Sequence, residues 1–381
     1  MGFFLDVFGF HELIGKTGGY TQTQQKLLEM ATIEQVPSKH AAYFREQCDF
    51  KVSHEKSISA GIFSMPSIKD LRQHANSLMD DIGKDECGRI TVRNIIGAAR
   101  DLHISGHVVT NENAEAPVVV VQAASQFNFL EFPSPGCLPE EGISNYANDH
   151  TQGPACAVAC AAGTAYRNYL VPVPFGSDQE LQQQQRGQTQ QHQLNGLLDV
   201  ERYLIHKKGI REGPWEVRNG YIESTREQLN SLNKLLKSDN AMEEEMIASM
   251  RIGLQESATV TDDPELNLQV TQTYNSAISI GYSMLPESLW QPVSEIVQSA
   301  TYEATLLAAV IQCRRGKPPP VVFLTKVGGG VFANRSIWIR RAIGRAIREV
   351  EKYGVSLDIR IVHFGSTFPR RGESRTRSFS P

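Results

Sequence analysis

Hydrophobic and polar positions alternate with two different periods along this chain. Leu27, Leu28, Met30 and Ile33 recur at helical spacing behind Thr21 and Thr23, which predicts a helix over 21–36. A second helix is predicted over 64–82, started at Pro66 and Ser67. Ile90, Val92 and Ile95 alternate as in a strand, and the four valines 118–121 suit a strand covered on both faces. That strand runs into a polar stretch from Gln122 to Asn128. Pro154 then opens a helix of small residues. Residues 215–224 read as a short strand ending in a turn at Asn219-Gly220, and 225–250 as one amphipathic helix. Further on come a strand ending near Asn275 and Ser276, a long helix over 292–313, a buried strand over 318–327, a helix over 336–354 and a last strand over 356–364.

From residue 89 onward, strands and helices alternate. This order predicts an α/β fold with a mostly parallel or mixed sheet sandwiched by helices. Residues 1–88 read as a helical and irregular extension packed on a unit spanning 89–365. Within that unit, the glutamine-rich segment 174–195 reads as a surface insertion. The tail 366–381 reads as disordered, with Arg370, Arg371, Arg375 and Arg377 against Glu373.

Composition narrows the function classes. The chain has 381 residues, 40% hydrophobic and 21% charged, enough for a sizeable core. Its net charge of -4 speaks against direct nucleic-acid binding through the surface as a whole. No apolar run reaches the length of a membrane span, and the start lacks the basic residues of a signal peptide. A soluble protein of the cytoplasm or nucleus is the expectation. The six cysteines form no paired zinc spacing and read as buried thiols, with Cys156 and Cys160 on one helix face. No metal or cofactor is implied.

Chemistry concentrates in three loops after strand ends: 122–128, 148–155 and 328–334. All are rich in Gly, Ala, Ser, Asn and Gln, and two lead into helices. A helix start offers free amides and a partial positive charge, and glycine lets a phosphate come close. A diphosphate held this way needs no lysine. The run Gly328-Gly329-Gly330 is neither a P-loop nor GxGxxG.

These residues resemble the macrodomains, the ADP-ribose-binding family, and more distantly the poly(ADP-ribose) glycohydrolase catalytic domain. "NIIGAARDLH" stands where the family has "GDI", and "VVVVQAASQFN" where it has a strand and "NAAN". "DHTQGPACAVACAAG" is similar to the first diphosphate loop and its helix, and "VFLTKVGGGVFANRSIWI" to the second. The resemblance implies a macrodomain-like fold and binding of ADP-ribose or an ADP-ribosylated macromolecule. It implies that Gly328, Gly329, Gly330, Val331, Phe332 and Asn334 cradle a phosphate and the ribose beyond it. Gln152, Gly153 and Ala155 would hold the other side of the diphosphate, and Asn128 the distal ribose. Gln122 and Ser125 line the first loop, and Asn219 and Gly220 match a "GY" segment.

The sequence departs from the family at two places. Ala98 stands at the acidic position that reads adenine, with Asp101 three residues later. The "GGGVD" and "QEE" motifs of the hydrolytic relatives are absent. Asp149 and Glu131 are then the candidate catalytic carboxylates, with Asn128. Three readings of function stay open: an ADP-ribosyl hydrolase, a non-catalytic ADP-ribose reader, and a cysteine-dependent hydrolase built on Cys156.

Overall fold

Val119 and Val121 belong to one hydrophobic core and Val120 to the other, so the valine run is a strand covered on both faces. In a computed structural model of the chain, the described residues are 2–37, 44–82, 88–108, 115–174, 184–210, 213–314 and 316–364. Their strands, in chain order, are β1 (Ala31–Gln35), β2 (Arg45–Lys51), β3 (Ser57–Ser64), β4 (Ile90–Ile96), β5 (Val119–Ala124), β6 (Pro172–Pro174), β7 (Gln184–Arg186), β8 (Glu216–Arg218), β9 (Tyr221–Glu223), β10 (Gly253–Thr259), β11 (Gln269–Asn275), β12 (Val321–Leu324) and β13 (Leu357–His363). Nine of them make one mixed sheet in the order β1-β2-β3-β10-β11-β5-β12-β13-β4. Strands β11, β5, β12, β13 and β4 run parallel, and β10, β3, β2 and β1 continue the sheet antiparallel.

Helices cover both faces. On one lie α1 (Phe3–Phe8), α2 (Gly19–Met30), α4 (Ala99–Ser105), α5 (Gln152–Ala159) and α6 (Ala161–Ala165). On the other lie α3 (Ile68–Ile82), α7 (Leu198–Lys208), α8 (Arg226–Ser238), α9 (Met242–Ser249), α10 (Glu287–Gln312) and α11 (Ser336–Glu351). The α/β class with a mixed, helix-sandwiched sheet is as the sequence predicts.

Several elements differ from the sequence reading. The helix expected over 21–36 stops at Met30, and Ile33 lies in β1. The residues taken as helical and irregular before 88 supply three strands of the main sheet. Strand β2, "REQCDFK", has a weak hydrophobic signal because Arg45, Asp49 and Lys51 lie on its less buried face and even the buried face carries a charge, Glu46, paired with Arg186. Strand β10 was not predicted. Its register shifts between Gln255 and Ala258 at a bulge where Ser257 has positive φ, which breaks the alternation. Helix 225–250 is two helices, interrupted at Asp239. The strand over 215–224 is a hairpin of β8 and β9, turned by Asn219 (φ 48°) and Gly220 (φ 74°). Part of the glutamine-rich segment is no surface loop: Gln188 and Leu194 are buried. The remainder of that segment over 175–183, Cys87 and the arginine-rich tail fall outside the described residues.

Candidate functional site

The parallel strands β5, β11 and β12 end side by side, and their following loops form one rim. Helix α10 holds them from below. Its residues 298, 301, 302 and 305 share one face, and all are buried. Gln298 Nε2 donates to Val327 O at 2.9 Å, and Thr301 Oγ1 to Ser276 O at 3.0 Å. Tyr302 OH donates to Thr325 O at 2.7 Å and accepts from Val327 N. Thr305 Oγ1 accepts from Gln122 Nε2 at 3.0 Å. Helix α10 thus carries a polar stripe that pins three strand ends. The stripe was visible in the sequence as polar residues at i, i+3, i+4 and i+7, but the sequence reading did not single it out.

The loop after β12 is folded by its glycines. Gly328 has φ 73°, and a Cβ there would lie 2.4 Å from Ala277 Cβ. Asn334 N donates to Gly328 O, and Ala333 N to Gly330 O, both at 2.9 Å. Asn334 Nδ2 reaches across to Ile278 O at 2.7 Å and ties this loop to the one after β11. The amides of Gly330, Val331 and Phe332 donate to no acceptor among the described residues. Gly330 and Val331 are exposed. Successive free amides are available to take the oxygens of an anion. From the same loop, the Phe332 ring packs with those of Tyr221 and Tyr282, with centroids 5.7–6.0 Å apart.

The first loop is occupied by its own scaffold. Ser125 N donates to Asn275 O at 2.8 Å, and Ser125 is buried. Asn128 Nδ2 donates to Gln193 Oε1, whose own Nε2 donates to Asn219 Oδ1, both at 2.9 Å. Asn128 Oδ1 accepts from Leu130 N. The side chain expected at the distal ribose is therefore a fully buried link in an amide chain. Gly220 sits so near that a Cβ would meet Asn128 Oδ1 at 2.7 Å. Gln152 behaves similarly. Its amide accepts from Ala124 N and donates to Gln122 O, both at 2.7 Å, pairing with β5 as a strand would. Gly153 lets α5 approach that strand end, since a Cβ would meet Ala124 O at 2.0 Å. Ala155 N is spent on Thr151 O.

The two candidate carboxylates stand in opposite environments. Glu131 is buried and pairs with Arg167 at 3.1 Å, with neither side chain exposed. Burial pushes its carboxyl up to about 7, although Arg167 opposes the shift. Among the described residues, one oxygen of Glu131 and one nitrogen of Arg167 have no hydrogen-bond partner. Arg167 also lies 3.5 Å from the Tyr274 ring centroid. Asp149 is half-buried at the rim, and its Oδ1 accepts from Thr151 N at 2.8 Å. The Tyr221 hydroxyl has a raised pKa, chiefly from burial, then from Tyr282 and Cys137, with Asp149 adding to it.

Cys156 corrects the third reading of function. It is fully buried at the expected helix, and burial raises its thiol well above the ordinary value. Its sulfur accepts from Gln152 Nε2 at 3.2 Å. A thiolate nucleophile needs access and a lowered pKa, and Cys156 has neither. The helix breaks at Cys160, which is buried as well. Among the described residues no His, Cys, Asp and Glu cluster could hold a metal ion, and no helix is long and apolar enough to cross a membrane.

Two solved structures of the poly(ADP-ribose) glycohydrolase from Deinococcus radiodurans in complex with ADP-ribose align with this chain. One gives a TM-score of 0.39 at 8% identity, covering 81% of this chain and 89% of the other. The second, a point mutant, gives 0.36 at 9% identity with the same coverage. Both likenesses are slight. No protein-family model matches the chain, and no curated protein sequence does.

Proposed function

We propose that this chain binds ADP-ribose or a closely related nucleotide diphosphate at the rim formed by the loops after β5, β11 and β12. The observation that carries the reading is the run of amides without an acceptor among the described residues at Gly330, Val331 and Phe332, in a loop whose Phe332 joins a three-ring cluster. Amides would take phosphate oxygens, and rings would cover a sugar or base. Hydrogen bonds to a charged phosphate are worth about 1.5–3 kcal/mol each. Three of them give about 4.5–9 kcal/mol, and stacking of a base on a ring about 1–3 more; less at least about 4 for association, the total reaches the micromolar range only at its upper end. The resemblance to macrodomains in the loops 148–155 and 328–334 supports the same ligand. Amide chemical shifts on titration with ADP-ribose test it: Gly330, Val331 and Phe332 should move most.

Binding without turnover is the favoured form. Glu131 is sealed against Arg167, and the Asn128 amide is committed to Gln193 and Leu130. A second reading, hydrolysis of an ADP-ribosyl bond, rests on Asp149, the half-buried candidate carboxylate in the loop that leads into α5. A water giving its proton to Asp149 would attack the anomeric carbon as the bond from that carbon to the modified side chain breaks, and the departing side-chain atom would take up a proton from solvent. Release of ADP-ribose from a modified protein that disappears in Asp149→Ala, with ADP-ribose affinity retained, would favour this second reading.

A further inference from the structure

The turn leading to α5 is anchored by a residue far away in the chain. Glu12 lies in the connection between α1 and α2 and is half-buried. Its Oε1 accepts from Ile143 N at 2.8 Å and its Oε2 from Ser144 N at 2.6 Å. Tyr169 OH donates to the same carboxylate at 2.5 Å. These amides open the short turn Ser144–Asn148, and a carboxylate there takes donors that the turn cannot satisfy itself. The fit is close. Gly142 has φ 77°, and a Cβ on it would lie 2.7 Å from Glu12 Cδ.

The rest of the turn passes that anchorage on. Tyr146, buried in the turn, accepts from Glu131 N through its hydroxyl at 3.2 Å. Asp149 N donates to Tyr146 O at 3.2 Å, and Thr151 N to the Asp149 carboxylate. Glu12 is itself held, because the next residue, Leu13, donates its N–H to the buried Thr23 Oγ1 at 3.0 Å. A continuous set of hydrogen bonds runs from α2 through Glu12 to Asp149 and the start of α5.

We propose that Glu12 is a positioning residue of the candidate site, fixing the turn that places Asp149 and the first residues of α5. Its effect on ligand affinity rests on the ADP-ribose reading above, whereas its hold on the turn does not. The segment before β1 is then part of the site's construction.

The test uses the full chain with Glu12→Ala, Glu12→Gln and the control Phe8→Leu, which loosens the packing of Phe8 against Phe4 and Phe50 in the same N-terminal segment but removes no hydrogen bond of Glu12. Hydrogen exchange at residues 143–151, thermal midpoint and ADP-ribose affinity are measured for each. Glu12→Ala should exchange faster at Ile143, Ser144 and onward to Thr151. Its affinity should fall by about tenfold, equivalent to one lost interaction of moderate strength. Glu12→Gln, which keeps one acceptor oxygen, should fall between Glu12→Ala and the unaltered chain. Phe8→Leu should leave the turn protected and the affinity unchanged. Unchanged protection at 143–151 in Glu12→Ala would overturn the proposal. So would an equal affinity loss in Phe8→Leu, which would mark a general loosening. If the unaltered chain does not bind ADP-ribose, that reading fails, and the exchange result alone upholds or overturns the role of Glu12.

Discussion

Gly281 N donates to Phe332 O at 3.1 Å, so the loops after β11 and β12 are joined through their backbones. The contact leaves no room for a side chain: a Cβ at Gly281 would lie 2.1 Å from Val331 O. Gly281→Ala should push the two loops apart and weaken ADP-ribose binding at least tenfold, at a stability cost of about 1–3 kcal/mol. Titration together with urea unfolding checks this. Unchanged affinity and stability would show that the loops are not coupled.

Gln152 gives a prediction about stability alone. Its amide satisfies Ala124 N and Gln122 O at the end of β5. Gln152→Ala leaves both groups without a partner, at about 1–3 kcal/mol each. Gln152→Glu keeps the acceptor but loses the donor, so it should fall between them. Equal unfolding midpoints for all three proteins would contradict the pairing.

Arg167 should be among the costliest positions in the protein. It lies against Tyr274, donates to Phe129 O and pairs with Glu131, all without exposure. At a pH above about 7, where Glu131 is ionised, Arg167→Met should cost about 3–5 kcal/mol by leaving Glu131 buried without its cation. Denaturant unfolding measures it. A cost below about 1 kcal/mol would place the pair among the energetically idle ones.

Two buried groups should give opposite pH slopes. The Glu131 carboxyl is raised to about 7 by burial, from an ordinary value of 4.5. Its contribution to stability is present below that ordinary value and is lost as pH rises through about 7. His103 is lowered to about 4 by burial, from 6.5. Its Nδ1 meets Ala99 O at 2.8 Å, and Gln272 Nε2 approaches its Nε2 at 3.0 Å, which fits the neutral ring. Its contribution is present above the ordinary value and is lost as pH falls through about 4. The two slopes oppose each other between pH 4.5 and 6.5. Glu131→Gln should therefore lose stability on acidification more steeply than the unaltered protein, and His103→Gln less steeply. Each slope should change by up to about 1.4 kcal/mol per pH unit. Thermal melts across pH 4–7.5 read this, and parallel curves would contradict it.

Much of the frame was legible in the sequence. The valines of β5, the alternation of β11 and the apolar run of β12 each carried a direct hydrophobic signal, and the glycines after β12 marked a close approach of chain segments. Other elements left weaker traces. Strand β2 hides among charges, and the bulge in β10 breaks its period. The side chains of Asn128 and Gln152 matched a ligand motif by position, yet both bond to protein groups. Whether an amide meets a ligand or its own scaffold depends on residues such as Gln193, 65 positions away from Asn128. Local pattern holds no record of such partners.

The most direct measurement is calorimetric titration of ADP-ribose into the unaltered chain and into Gly330→Glu. A Cβ at Gly330 meets nothing within 4 Å, so the variant should fold and melt as the unaltered protein does. Its carboxylate would stand among the three free amides and repel a phosphate. The unaltered chain should bind at between about 1 mM and about 1 μM, and the variant at least tenfold more weakly at an unchanged melting temperature. No heat with millimolar ADP-ribose, or equal affinity in the two proteins, would contradict a ligand seated on this loop.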